Sequence, residues 1–114
     1  GTLLAYVSYQ NKNKFGHSSF DIFVADTLGN DQEITHLADA IYPAFHPNGT
    51  EIIFARRETN STRFILSKAI LNENPKSKAV EWTDIWTPPE SYAYYNIYTP
   101  KYSPDGSKIA FSFF

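Results

Sequence analysis

An all-β fold built from a repeating unit of four short antiparallel strands is the class this sequence predicts, and three observations predict it. Aromatic residues are 17% of the 114, with 2 Trp, 8 Tyr and 9 Phe, and aromatic and β-branched side chains fit the pleated surfaces of sheets. The segment 42–54 recurs as 99–111, at an offset of 57 throughout. No segment carries a sustained apolar period of 3.6 residues, and the short run 35–40 holds at most one helical turn.

The elements follow in order. Gly1-Thr2-Leu3-Leu4-Ala5-Tyr6 matches Gly49 to Phe54 at an offset of 48, which predicts a first strand over 3–9. Strands over 20–26 and 32–37 are expected around the turn residues 26–31. Strands over 42–46 and 51–57 flank Pro47-Asn48-Gly49, and strands over 98–102 and 108–113 flank Pro104-Asp105-Gly106. In both turns Pro presets φ, Asn or Asp bonds its own backbone, and Gly takes positive φ without steric cost. Gly49 and Gly106 are therefore expected at equivalent positive-φ positions. Strands over 63–69 and 79–86 complete the set, joined across 72–75. Four short strands in roughly 50 residues is the period of a propeller blade or a similar array.

YPAFHPNGTEIIFARRE and TPKYSPDGSKIAFSFF, together with FDIFVADTLGNDQEITHL, resemble the WD40-like (PD40) repeats of TolB-type β-propellers. His46 and Asn48 replace the Ser and Asp of the repeat core, and both still suit a turn. The resemblance implies about two and a quarter blades: a partial blade over 1–37, a full blade over 38–86, a linker loop over 87–97 and a partial blade over 98–114. Propellers close with about four to eight blades. The expectation is therefore an excised or processed piece whose ring is completed by further chain, by other fragments or by self-association.

Lys and Arg number 10 against 12 Asp and Glu, for a formal net charge of −2. That balance lacks the basic excess of a nucleic-acid or anionic-membrane surface, and Arg56-Arg57 is too short a patch to change it. No apolar run approaches the roughly 18 residues of a membrane-spanning helix. Cysteine is absent, which removes disulfide frameworks, thiolate nucleophiles and Cys-ligated zinc. Charged residues at 19% and hydrophobic residues at 42% describe a folding chain rather than a disordered one.

Few residues suggest chemistry. His17, His36 and His46 have no metal-site spacing and are expected on different rims or at the periphery, with His36 in an outer strand. Asp26 and Asp31 bracket a turn but lack an EF-hand's ligand spacing, so a solvated hairpin is expected. Glu81 and Asp84 are expected to face solvent on an outer strand. Ser18 and Ser19 lie near His17 without a nucleophile elbow. The sequons at Asn48 and Asn60 are discounted, the first because turn chemistry explains it. No catalytic residue, metal site or cofactor is assigned.

Loop length is the remaining pointer. The connection over 9–19 is longer than its counterpart over 57–62, and Ile85 to Pro100 spans 15 positions where Leu37 to Pro43 spans 6. In an up-and-down blade these two connections emerge on one rim, opposite the Pro-Asn-Gly turns. Lys14, Phe15, His17, Tyr92, Tyr94 and Tyr95 are the candidate binding residues there, since tyrosine offers amphipathic contact area and Pro88-Pro89 stiffens the approach. The leading expectation is a non-catalytic protein-interaction module. The resemblance implies a periplasmic or cell-envelope address and an envelope protein, or the rest of the same propeller, as partner. The alternative is the propeller portion of an enzyme, gating an oligopeptidase-type protease or processing glycans.

Overall fold

A computed structural model describes residues 3–58, 61–71, 81–89 and 96–114. The chain is all-β. Among the described residues nine strands form three antiparallel sheets, and no helix is present. The first sheet contains β1 (Leu4–Lys12), β2 (Ser18–Ala25) and β3 (Asp31–Glu33). The second contains β4 (Ala40–Phe45), β5 (Glu51–Arg57), β6 (Phe64–Ile70) and β7 (Trp82–Trp86). The third is the pair β8 (Ile97–Tyr102) and β9 (Ile109–Phe113). Within each sheet strand order follows chain order, and neighbouring strands are antiparallel.

The second sheet is buried on both faces. Ile52, Ile53, Phe54 and Ala55 of β5 are all 0% exposed, because successive side chains point to opposite faces. Ile52, Phe54 and Ala69 pack with Ile22, Val24, Ile34, Ala38 and Ala40 into a core against the first sheet. Ala55 and Leu66 pack with Ile97 into a second core against the third sheet, flanked by Trp86, Ile109, Phe111 and Phe113. Trp86 meets Phe111 at 5.1 Å and Phe113 edge-on at 5.3 Å.

Bulges direct side chains to the right core. The register slips by one residue between Ile41 and Ala44 in β4, and again between Tyr98 and Lys101 in β8. A slip of one residue exchanges the faces of the side chains beyond it. Ala40 and Phe45 thus share the first core, while Ile41 and Tyr42 between them join the second. The backbone enters the left-handed region at Tyr42 (φ 58°) and Thr99 (φ 45°), each the residue before a proline. The offset of 57 therefore extends from the letters to the dihedral angles. For β-branched Thr99 this conformation is strained.

A buried carboxylate fastens the first sheet. Asp21 is 0% exposed in the middle of β2. It accepts hydrogen bonds from Thr35 Oγ1 at 2.8 Å, Asn11 Nδ2 at 2.9 Å, and the backbone N–H groups of Leu37 and Ala38 at 3.0 Å each. Thr35 Oγ1 in turn accepts from the Ile22 N–H. This capture explains why the strand expected over 32–37 stops at Glu33. The chain leaves the ladder to bring its N–H groups to Asp21, with Leu37 and Asp39 at φ 55° and 48°. His36 therefore lies in a loop and not in an outer strand.

The connection over 9–19 is also not the long loop expected. β1 continues to Lys12 through a bulge between Ser8 and Asn11, and β2 begins at Ser18. Only 13–17 remain as a turn, closed by the Asn13 N–H donating to the His17 carbonyl, so this connection matches the 58–63 loop in size. The apparent insertion was absorbed as strand.

The two Pro-Asn/Asp-Gly turns are near-copies. Gly49 and Gly106 have φ of 75° and 77°, and each donates its N–H to the carbonyl of the residue three before it, His46 or Ser103. Asn48 Oδ1 accepts from the Thr50 N–H and hydroxyl, and Asp105 Oδ1 accepts from those of Ser107. Hydrogen bonds from Ser103 and then Ser107 pull the Asp105 pKa down to about 2. The copies differ in surroundings. A methyl group on Gly49 would meet open space, whereas on Gly106 it would run into the His46 imidazole, which also stands edge-on to Tyr102 at 4.7 Å.

Two outcomes are expected in denaturant unfolding of the 114-residue chain. Asp21→Ala strands several buried donors and should cost about 3 kcal/mol or more, against about 0.5 kcal/mol for Asp31→Asn at an exposed site; similar losses at both positions would contradict the role given to Asp21. Gly49→Ala should cost about 1 kcal/mol through backbone strain alone. Gly106→Ala should cost more than Gly49→Ala, and the excess should vanish when His46 is also replaced by Ala; a persistent excess would rule out the imidazole as its source.

Candidate functional site

The first and second sheets part at one end, where the 13–17 turn and the 34–39 loop meet Arg57, Glu58, Thr62 and Phe64 of the second sheet's β5–β6 side. Asp39 organises this end. Its N–H donates to Ser19 Oγ at 3.2 Å, and its Oδ1 accepts from the Phe20 N–H at 3.2 Å. Its carbonyl accepts from the Arg57 N–H at 3.2 Å, and its Oδ2 pairs with the Arg57 guanidinium. One aspartate thus ties the edge of β2 to the end of β5.

Cavities open on either side of this pair. One, of about 430 Å³, is lined by Tyr9, Phe20, Ile41 and Phe64, with Asp39 and Arg57 among its polar groups. The other, of about 400 Å³, shares Asp39 and Arg57 and reaches His17, His36, Glu58 and Trp82. The Tyr9 and Phe20 rings pack together at a centroid separation of 4.4 Å, tilted by 32°, while remaining 57% and 43% exposed.

Two further ion pairs brace the walls. Arg56 holds Asp84 in a two-point contact, Nε to Oδ1 at 3.0 Å and Nη2 to Oδ2 at 2.7 Å, and Ser67 Oγ adds a bond at 2.7 Å. Asp84 is exposed on the outer strand, as expected, and is also fastened across β5, β6 and β7. Partial burial raises its pKa, but the hydrogen bonds from Arg56 and Ser67 outweigh this, so the net shift is downward. Arg63 bonds Glu58 and donates to the Pro88 carbonyl at 3.2 Å, linking the 58–63 loop to the segment after β7.

The residues expected on this rim divide into two groups. Lys14, Phe15 and His17 form the tip of the first turn. Asn13 Oδ1 accepts from the N–H groups of Phe15 and His17, Gly16 takes φ 79°, and Lys14 Nζ lies 5.1 Å from the Phe15 ring centre. Phe15 is 72% exposed. Tyr92, Tyr94 and Tyr95 lie outside the described residues. The expected dispersal of the histidines needs correction: His17 and His36 line the same cavity, because the Asp21 lock swings His36 in from the strand end. His36 pairs with Glu33 at 2.6 Å, and His46 sits on the opposite end among the β4–β5 and β8–β9 turns. Among the described residues no group of three or more His, Asp or Glu side chains is placed to hold a metal ion, and no helix is long and apolar enough to cross a membrane.

Sequence reasoning missed Asp21 and Asp39. A signal for the first was present: a lone carboxylate inside the apolar run 20–25 must be paired if that strand is buried. Asp39 gave none, since its partners come from β2 and β5. Comparison of the chain with protein-family models and with curated proteins finds no match.

The Asp84 shift sets a pH dependence. A carboxylate whose folded pKa lies below its ordinary value of 3.8 adds stability above that value and loses it as the pH falls through the folded value. The stability gap between the wild-type chain and Asp84→Asn should therefore be flat near neutrality and shrink below pH 3.8. Asp105→Asn, at the other end, should show the same sign. A gap that widens in acid, in thermal melts from neutral pH downward, would reverse the assignment.

Proposed function

We propose that the chain is a segment of a TolB-type β-propeller that acts as a protein-interaction module of the cell envelope, presenting the rim of the 13–17 turn to a protein partner. The observation that carries this reading is the second sheet: a four-stranded meander with both faces covered by the sheets before and after it in sequence. Stacked four-stranded meanders are how propeller blades bury apolar surface that one blade alone exposes. The repeated bulge before proline and the repeated Gly turn support the same reading, since equivalent positions in successive blades should share backbone geometry. An envelope address rests on the resemblance of the repeat.

The choice of rim rests on side-chain display. Phe15 is 72% exposed with Lys14 and His17 of the same turn beside its ring, a combination of apolar area and charge that suits a contact residue. A photo-reactive phenylalanine analogue at position 15 should yield a discrete cross-linked protein in envelope extract, suppressed by excess unlabelled chain and by Lys14→Glu. The same probe at position 28, at the far end of the first sheet and 84% exposed, should yield none. Equal adducts from both positions, or adducts indifferent to Lys14→Glu, would end the assignment of this rim.

A further inference from the structure

The geometry points to a neutral saccharide as ligand of the cleft between the first and second sheets, with a pyranose ring seated on the exposed Tyr9 and Phe20 rings and its hydroxyl edge on the Asp39–Arg57 pair. This goes beyond the rim proposed for a protein partner. It depends only on how the first two sheets pack and stands whether or not they belong to a propeller.

Charge is the first argument. Every arginine and carboxylate lining the two cavities is paired: Arg57 with Asp39 inside the lining, and Arg56 and Glu58 with Asp84 and Arg63 just outside it. A phosphate or an acidic peptide would have to displace one of these carboxylates from its arginine. A neutral ligand with many hydroxyls need displace none. A carboxylate has about four acceptor positions and a guanidinium five donors, so a paired Asp and Arg can still accept from one hydroxyl and donate to its neighbour.

Shape is the second argument. Tyr9 and Phe20, packed against each other, stay about half exposed although apolar surface lies beside them at Ile41 and Phe64. An aromatic face carries the negative side of the ring quadrupole and attracts the polarised C–H groups on one face of a sugar. The volume, about 430 Å³, is at the small end for a ligand site and suits one or two rings.

Preorganisation is the third. Asp39 is held by Ser19, Phe20 and Arg57, its Oδ1 by the Phe20 N–H and its Oδ2 by the Arg57 guanidinium. Its carboxylate is therefore fixed before any ligand arrives, which lowers the entropy lost on binding.

The test is an amide-shift titration of the 114-residue chain with the neutral methyl glycosides of glucose, galactose, mannose and N-acetylglucosamine, and separately with a neutral peptide carrying one tyrosine. At least one glycoside should give saturable shifts centred on Phe20, Asp39, Ile41 and Arg57, with millimolar affinity. Phe20→Ala and Asp39→Asn should each weaken it by about tenfold, and Phe114→Ala, remote and 71% exposed, should leave it unchanged. Tyr9→Ala serves in place of either variant if thermal melting shows that variant to be unfolded. No saturable shift with any glycoside, shifts centred elsewhere, shifts that survive the cleft substitutions, or a response to the peptide alone would each overturn the proposal.

Discussion

The carboxylate of Asp21 is the constraint on which the arrangement of the first two sheets depends. A charge taken fully out of water is tolerated only when hydrogen bonds replace its hydration. Asp21 meets that requirement with donors from three places: the bulged end of β1, the hydroxyl of Thr35 and the backbone of Leu37 and Ala38. In doing so it ends β3, turns the 34–39 loop inward and delivers Ala38 and Ala40 to the core. It also sets Asp39 where Arg57 can reach it. The cleft is thus a downstream product of one buried charge.

The second sheet has no equivalent. The residue cross-strand from Arg56 in β6 is Ile65, where Asp21 faces Ser8 in the first sheet, and Ile65 is buried as a hydrocarbon. Its fastening is instead the surface network of Arg56, Ser67 and Asp84. Two sheets of like topology are therefore secured by different physics: one by a desolvated carboxylate, the other by a partly exposed ion pair that salt and acid weaken.

Much of the fold was legible in the sequence, because its strongest signals are local. Pro-Asn-Gly and Pro-Asp-Gly dictate turns through the dihedral limits of their own residues, and both glycines adopt the positive φ their spacing implied. Strand β5 over 51–57 falls where its apolar run places it. What was not legible is long-range. The early end of β3 depends on Asp21, more than ten residues away in sequence, and the extension of β1 to Lys12 depends on a bulge whose partner is β2. Polar residues at 10–12 read as loop because an edge strand at a sheet's rim needs no apolar side chains. The candidate site was legible only at its tip, Lys14, Phe15 and His17; its body, built by Asp39 and Arg57 from separate sheets, carries no short-range pattern.

The burial of the second sheet on both faces has a dynamic consequence. The third sheet is a two-stranded hairpin that can detach by giving up only the core it shares through Ile97 and Ala55, and the first can detach by giving up only the other. The second cannot detach without surrendering both. Its amide hydrogens, above all those of β5, should therefore exchange with solvent only through whole-molecule opening, while the flanking sheets exchange through partial openings of lower free energy. The molecule is in this sense hierarchical, with a slow centre and two faster wings, and the cleft lies along the seam where the centre meets one of them.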